Sequence, residues 1–284
     1  MKLATISYHD QILTGVVDGD RINPLASQRP LAEQIAHGVF TGEADAAGSI
    51  ALAEAQLIAP LAPRRNFICV GWNYVSHFEE GKGKRGGGLQ DSQELPAFPT
   101  FFTKATTAAA GPFEDLPMHA TTTERLDWEV ELAVVIGKDG VDISEAEALS
   151  HVFGYTVAND ISAREVQRRH GGQWFKGKSL DKTCPIGPLL VTADEIADPQ
   201  KLTLSCSVNG IEKQSATTRQ MHFQIPRIIA ELSSGMTLLA GDIILTGTPE
   251  GVGFTREPPE FLKSGDVMET TIEHIGTMRH RFVG

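Results

Sequence analysis

Two glutamates one residue apart raise the first chemical question. In Asp127-Trp128-Glu129-Val130-Glu131-Leu132, acidic and apolar residues alternate as in a β-strand, where side chains i and i+2 share a face. Glu129 and Glu131 then point one way, and Val130 and Leu132 the other. Like charges this close repel unless a cation sits between them. Their hard oxygen ligands suit Mg²⁺, Mn²⁺ or Ca²⁺ rather than zinc. On spacing alone, an ordinary solvent-facing strand also accounts for the pair. A third carboxylate, Asp160, closes the apolar run 152–158 and precedes Ser162-Ala163-Arg164-Glu165, which fits a capping box. Asp160 therefore falls at a strand-to-helix corner, as a ligand or as a plain helix-entry residue.

Such residues need a frame, and the punctuation of the chain suggests one. Gly (28) and Pro (15) interrupt many short apolar runs, a pattern that favours a strand-rich protein over a helical bundle. Strands are predicted at 2–7 and 12–17, joined by a His9-Asp10 turn, with Asp18-Gly19-Asp20 as a hairpin signal. Further strands are predicted at 67–70, 100–104, 128–137, 152–158, 189–192, 202–208, 242–246 and 267–272. Helices are predicted at 31–40, 45–56, 74–80, 162–170 and 224–233. The class is α+β with a predominantly antiparallel core. Pro60 and Pro63 mark a linker, so residues 1–60 read as a small N-terminal α/β domain and 61–284 as a larger catalytic one. Residues 81–94 are polar, Gly-rich and aperiodic, as functional or disordered loops are.

Composition excludes several function classes. Lys+Arg number 25 against 36 Asp+Glu, a formal net charge of −11, which argues against a nucleic-acid surface. No apolar run approaches the ~18–20 residues of a membrane span. Three scattered cysteines, Cys69, Cys184 and Cys206, lack any CxxC spacing and read as reduced thiols of a cytoplasmic protein. Two nucleotide-binding patterns are formally present. Gly172–Ser179 satisfies GxxxxGK[ST], but a charged helix precedes it and Pro185 and Pro188 follow, so no strand–loop–helix can form. The Gly81–Gly86 match to GxGxxG lacks a surrounding βαβ unit.

Several segments, in order, carry a family resemblance. They are Cys69-Val-Gly-Trp-Asn-Tyr with His77-Phe-Glu-Glu80, Pro99-Thr-Phe-Phe-Thr-Lys104, Asp127-Trp-Glu-Val-Glu131 and Asn159-Asp-Ile-Ser-Ala-Arg-Glu165. Gln173-Trp, Gly177-Lys-Ser-Leu-Asp, Cys184-Pro-Ile-Gly-Pro188 and Thr246-Gly-Thr-Pro-Glu-Gly-Val-Gly253 complete the set. From about Arg65 onward the chain resembles the fumarylacetoacetate hydrolase (FAH) superfamily. The resemblance implies a strand-rich mixed β-roll, a homodimer, and one Mg²⁺ or Mn²⁺ per subunit held by Glu129, Glu131 and Asp160. It also implies a small 2-oxo or 2,4-dioxo acid as substrate.

A divalent ion chelating such an acid stabilises the enolate formed beside its ketone. Hydrolysis, decarboxylation and isomerisation share that step. His77 and Glu80, three apart in a predicted helical turn, share a face, and His77 can act as general base with Glu80 orienting it. A casual surface pair is the plainer alternative. The resemblance supplies Lys178 as oxyanion donor, with Gln173 nearby. Arg164 and Gln167, three apart after Asp160, are candidate substrate contacts, as are Lys104 at a strand end and Thr248 in a tight turn. The leading expectation is a hydrolase cleaving a C–C bond of an acylpyruvate-like β-diketo acid. The alternatives are an oxaloacetate-type decarboxylase or an isomerase of an unsaturated 2-oxo diacid with the same site, and, remotely, a non-catalytic 2-oxo acid binder. The 81–96 loop is expected to act as a lid.

Overall fold

The computed structural model describes residues 1–27, 29–45, 48–84 and 93–284. The longest sheet starts at Ile50–Ala51 and runs through Arg21–Pro24, Gln11–Asp18, Lys2–Tyr8, Cys184–Thr192 and Val152–Asn159. It continues through Val130–Ile136, Ile243–Leu245 and Phe67–Gly71 to Thr100–Lys104. Most neighbours are antiparallel, while Ile243–Leu245 and Phe67–Gly71 are parallel. A five-stranded sheet of Ile211–Thr217, Thr203–Val208, Val267–Ile272, Gly276–Val283 and Leu116–Pro117 packs nearby. The α+β, strand-rich architecture is the expected one.

The strand Val130–Ile136 explains where the core sits. Val130, Leu132, Val134 and Ile136 enter one apolar cluster, with Leu204, Cys206, Met268 and Ile272 of the second sheet and Ile228 and Ile229 of the helix Ile225–Ser233. Ala133 and Val135 enter another, with Cys69, Ala158 and Leu245. A strand covered on both faces reads as a nearly continuous apolar run. Glu131 is a charged interruption at one end of that run, and it is 1% exposed.

The N-terminal strands do not stand apart from the rest. Lys2 and Leu3 pair with Val191 and Leu190, so one sheet crosses the boundary drawn at residue 60. The two hairpin signals form as read. Tyr8 pairs with Gln11 around His9 and Asp10, both with positive φ, and Asp18 pairs with Arg21 around Gly19-Asp20.

The helix expected over 45–56 is a correction. Its described part is the strand Ile50–Ala51, a 3₁₀ turn Leu52–Glu54 and the strand Gln56–Ile58. Alanine-rich composition suggested helix, but pairing to Arg21–Ile22 and to Thr5–Ser7 overrides propensity. The first helix stops at Ala36, short of residue 40, and Gly38 beyond it has φ +63°. The capping box is a second correction. The helix Arg164–Arg169 has Ala163 at its N-cap without a side-chain cap. Ser162 instead donates to the Asp160 carbonyl, and Glu165 accepts from Thr123 and the Glu124 amide.

His280 gives the fold a pH dependence. It is buried in the strand Gly276–Val283, its Nε2 lies 3.0 Å from the Gly111 carbonyl, and its Nδ1 has no partner. Burial lowers its pKa from 6.5 to about 4, against the opposing pull of the Gly111 bond and Glu114. The unfolded chain therefore takes up a proton below pH 6.5 that the folded chain refuses. The contribution is complete above pH 6.5 and lost as pH falls to about 4, amounting to roughly 3 kcal/mol. Urea midpoints from pH 7 to pH 4.5 should fall more steeply for the wild type than for His280→Gln. Parallel slopes would remove His280 as the cause.

Candidate active site

Strand register assembles the acidic cluster. Val130 pairs with Asn159, so Glu129, just before one strand, and Asp160, just after the other, meet at the same end of the pair. The Glu129 amide donates to Asn159 Oδ1 at 2.9 Å, and the Asp160 amide donates to the Glu129 carbonyl at 2.8 Å. Glu129, Glu131 and Asp160 are all buried, and one oxygen of each lies within 4.8 Å of the others.

Two lysines and an arginine answer part of that charge. Lys178 Nζ donates to Glu129 Oε2 at 2.8 Å and to Asp160 Oδ2 at 2.7 Å. Lys104 Nζ donates to Asp160 Oδ1 at 2.6 Å and to the Ile161 carbonyl at 3.1 Å. Arg164 Nε donates to Asp127 Oδ2 at 2.8 Å, and its Nη2 lies 2.7 Å from Glu129 Oε1. Burial opposes the Lys178 charge, but Asp160 and Glu129 outweigh it and hold its pKa above the ordinary lysine value. Burial also opposes ionisation of Glu129, but Lys178 and Arg164 prevail and hold it well below the carboxylate range.

Glu131 is treated differently. Its Oε2 accepts from the Gly247 amide at 2.6 Å, and no lysine or arginine among the described residues bonds to it. Burial, then the neighbouring Asp160 and Glu129 carboxylates, push its pKa well above the usual range. Four buried carboxylates (Asp127, Glu129, Glu131, Asp160) thus face three buried cations (Lys104, Arg164, Lys178). The carboxyl group left without a bonded cation is Glu131. A clustered all-oxygen donor set with uncompensated charge fits a hard dication, and Glu129, Glu131 and Asp160 are the residues that would hold it.

His77 lies on the helix Val75–Glu80 with Glu80 one turn on, as expected. Its Nδ1 is 2.9 Å from Glu80 Oε1. Glu80 Oε2 accepts from the Gly251 amide at 2.9 Å and from Thr255 Oγ1 at 3.0 Å. With both carboxylate oxygens occupied, the imidazole orientation is fixed through Nδ1, and Nε2 remains for proton transfer.

A cleft joins these groups. Its lining includes His77, Glu129, Glu131, Arg164, Gln167, Lys178 and Thr248. Thr248 Oγ1 accepts from Gln214 Nε2 at 2.8 Å, which leaves its hydroxyl hydrogen to be donated elsewhere. Lys104 is not a cavity-lining residue. It is fully buried, and its ammonium is engaged with Asp160 and Ile161. Gln173 is likewise not in the lining, because it sits exposed in the turn before the helix Phe175–Lys178. Residues 85–92 of the expected lid, and the end of the GxGxxG match, lie outside the described residues.

Some lining residues had no assigned role in the sequence. Trp72, Phe102 and Trp174 form an aromatic wall, with Trp72 and Trp174 centroids 4.9 Å apart. Trp72 has φ +56°, a left-handed backbone unusual for so bulky a residue. Asp127 accepts from the Gly253 and Phe254 amides as well as from Arg164. It ties the loop after Thr246 to the acidic cluster. The helix Phe175–Lys178 approaches its neighbour closely, since a Cβ on Gly177 would lie 2.2 Å from the Gln167 nitrogen.

The chain belongs to the fumarylacetoacetate hydrolase family. Residues 66–283 match the family described as fumarylacetoacetate (FAA) hydrolase C-terminal. Among similar proteins, oxaloacetate tautomerase YisK of Bacillus subtilis (strain 168) is 47% identical over 81% of this chain and 74% of its own length. The human mitochondrial oxaloacetate tautomerase FAHD2A is 44% identical over 81% of this chain and 70% of its own. A solved fumarylacetoacetate hydrolase from Exiguobacterium antarcticum superposes with a TM-score of 0.87 at 38% identity, covering 100% of this chain and 99% of that one. A 2-hydroxyhepta-2,4-diene-1,7-dioate isomerase from Mycobacterium marinum gives 0.79 at 34% identity, covering 100% and 98%. These relatives favour the isomerising alternative over the C–C hydrolase expected first. No helix among the described residues is long and apolar enough to cross a membrane.

Proposed function

We propose that the protein is a keto–enol tautomerase of a small 2-oxo dicarboxylic acid of the oxaloacetate type. The observation that carries this reading is the placement of His77, held from behind by Glu80, on the same cleft as Glu129 and Glu131 of the acidic cluster. Tautomerisation needs a proton taken from carbon and a proton given to oxygen, and nothing more. Hydrolysis would add an activated water and a second carbonyl.

A divalent ion held by Glu129, Glu131 and Asp160 would supply Lewis-acid stabilisation of the enolate. His77 Nε2 takes the proton from the carbon beside the ketone, and Glu80 keeps the ring aimed. Lys178 uses two of its three N–H groups on Glu129 and Asp160 and offers the third to a ligand oxygen. Trp72, Phe102 and Trp174 restrict water at the reacting carbon. The relatives named oxaloacetate tautomerase support the substrate class.

The test follows enol absorbance of oxaloacetate, with pyruvate formation measured in parallel, in Mg²⁺ and then in chelator. Metal-dependent acceleration of tautomerisation is expected, with chelator lowering the rate by about 10³-fold, the equivalent of several kcal/mol. Tautomerisation no faster than in buffer, with either Mg²⁺ or Mn²⁺, would sink the reading.

A further inference from the structure

The aromatic part of the catalytic cleft is a contiguous, seated array. Trp72, Phe102 and Trp174 line the cleft beside Val70 and Gly71. The indole of Trp174 stands edge-to-face to both neighbours, with its centroid 4.9 Å from Trp72 and 5.2 Å from Phe102. Gly71 makes this arrangement possible, because a Cβ there would lie 2.5 Å from Trp174 Cζ3. The notch left by that glycine seats the indole. All three aromatic residues are half-buried, so the wall presents ring surface to the cleft.

The wall adjoins the reacting groups. Trp174 and Lys178 stand at the two ends of one helical turn, the Lys178 amide donating to the Trp174 carbonyl at 3.1 Å. Lys178 Nζ lies 5.1 Å from the Phe102 centroid. The ammonium that meets the 2-oxygen of a ligand is therefore beside the rings. C3, the carbon that gives up a proton, is two bonds from that oxygen, so a group carried on C3 extends to the wall. In oxaloacetate that group is a carboxylate. Aromatic faces are electron-rich and repel an anion, whereas they hold a ring or an alkyl group well. Three aromatic side chains are also more apolar surface than the single methylene of oxaloacetate uses.

We infer that the site also enolises 2-oxo acids bearing an aryl group on C3, the arylpyruvates, with Trp174 as the specificity-determining residue. The substrate ring joins Phe102, Trp174 and Trp72 as a further member of their edge-to-face array, where aromatic pairs gain beyond simple area burial. The reaction balances without a co-reactant. His77 Nε2 takes one proton from C3, the C–H electron pair becomes the C2–C3 double bond, and the carbonyl pair moves to the 2-oxygen. Water protonates that oxygen, and the imidazolium returns its proton to water. The new double bond is conjugated with the aryl ring, which favours the enol. This inference rests on the tautomerase reading and extends it to apolar monoacids, so the test separates the two.

The probes are phenylpyruvate and pyruvate, which differ only in the ring, with oxaloacetate as the reference substrate. Wild type, Trp174→Ala, Trp174→Phe and Gly71→Ala are compared with Mg²⁺ present. Binding is measured by calorimetry, and enolisation as deuterium exchange at C3 above the buffer rate. Wild type should prefer phenylpyruvate to pyruvate by about 10-fold or more in binding and in kcat/KM. Trp174→Ala should lower that preference by about 10-fold, with partial recovery in Trp174→Phe. Gly71→Ala should lower it as well, by unseating an indole that is still present. Mg²⁺-dependent thermal stabilisation should persist in all three variants, which separates loss of the wall from loss of the acidic cluster. Equal binding of the two acids by wild type, or a preference that neither Trp174→Ala nor Gly71→Ala changes, would overturn the inference. So would phenylpyruvate that binds in preference but does not exchange while oxaloacetate does. If no acid exchanges, oxaloacetate included, the tautomerase reading fails, and the binding ratios alone decide the aryl subsite.

Discussion

Glu131→Gln should abolish metal-dependent turnover while leaving the metal-free fold as stable as before, or raising its Tm by a few degrees. Glu131 has no cationic partner among the described residues, and its neighbours repel it. A glutamine of the same shape still accepts the Gly247 amide bond and removes the repulsion. Asp160→Asn should behave in the opposite way. Both Asp160 oxygens hold buried ammonium groups, Lys104 at 2.6 Å and Lys178 at 2.7 Å. Removing one partner of a buried ion pair costs about 3–5 kcal/mol, so Tm should fall by roughly 10 °C. Both variants should lose Mg²⁺-dependent thermal stabilisation and about 10³-fold in rate. Thermal unfolding with and without Mg²⁺, beside the tautomerase assay, measures all of this. A metal-free Glu131→Gln protein as unstable as Asp160→Asn would show that no cation is missing from the cluster.

That contrast depends on burial, which the sequence could not supply. The i, i+2 spacing placed Glu129 and Glu131 on one face, and both do line the cavity. The same spacing fits a solvent-facing strand equally well. Only the register that sets Val130 against Asn159 brings Asp160 to them, and register is a long-range property. Lys104 illustrates the same limit. It was legible as a cation ending a strand, but whether it faced the cavity or lay behind Asp160 depended on packing. Gln173 was drawn in by nearness to Lys178 in sequence, yet the turn leaves it exposed.

Other features were legible and went unread. Met278, His280 and Phe282 alternate with Thr277, Arg279 and Arg281, a period-2 pattern that marks the strand Gly276–Val283. Arg168 stands four residues after Arg164, the helical spacing that puts both on one face. Trp174 lay inside the rejected GxxxxGK[ST] match, and discarding the motif discarded an aromatic wall with it. By contrast, the strand Ile211–Thr217 carried little signal. It pairs only with Thr203–Val208 at a sheet edge, and most of its side chains are not buried. A polar edge strand has no apolar alternation to betray it.

His77→Gln should lower the tautomerisation rate by about 10²–10⁴-fold, the usual worth of a positioned general base, without weakening metal binding. His77 is hydrogen-bonded to Glu80, at 2.9 Å, rather than to any of the three clustered carboxylates, on which it acts only through its charge, at Glu129. Mg²⁺-dependent thermal stabilisation should therefore persist in this variant, unlike in Glu131→Gln. Glu80→Gln should lie between wild type and His77→Gln. The amide oxygen can still meet Nδ1, but an NH₂ group then replaces the oxygen that now accepts from Gly251 and Thr255. The decisive comparison lies within a single substrate. Oxaloacetate decarboxylation breaks a C–C bond and forms the enolate without removing a C–H proton, so it does not need a base at the carbon. Tautomerisation does. His77→Gln should therefore depress tautomerisation far more than any metal-dependent decarboxylation measured in the same cuvette. A parallel fall in both would place His77 in binding or in shaping the cavity, and the proton would have to be moved by another group.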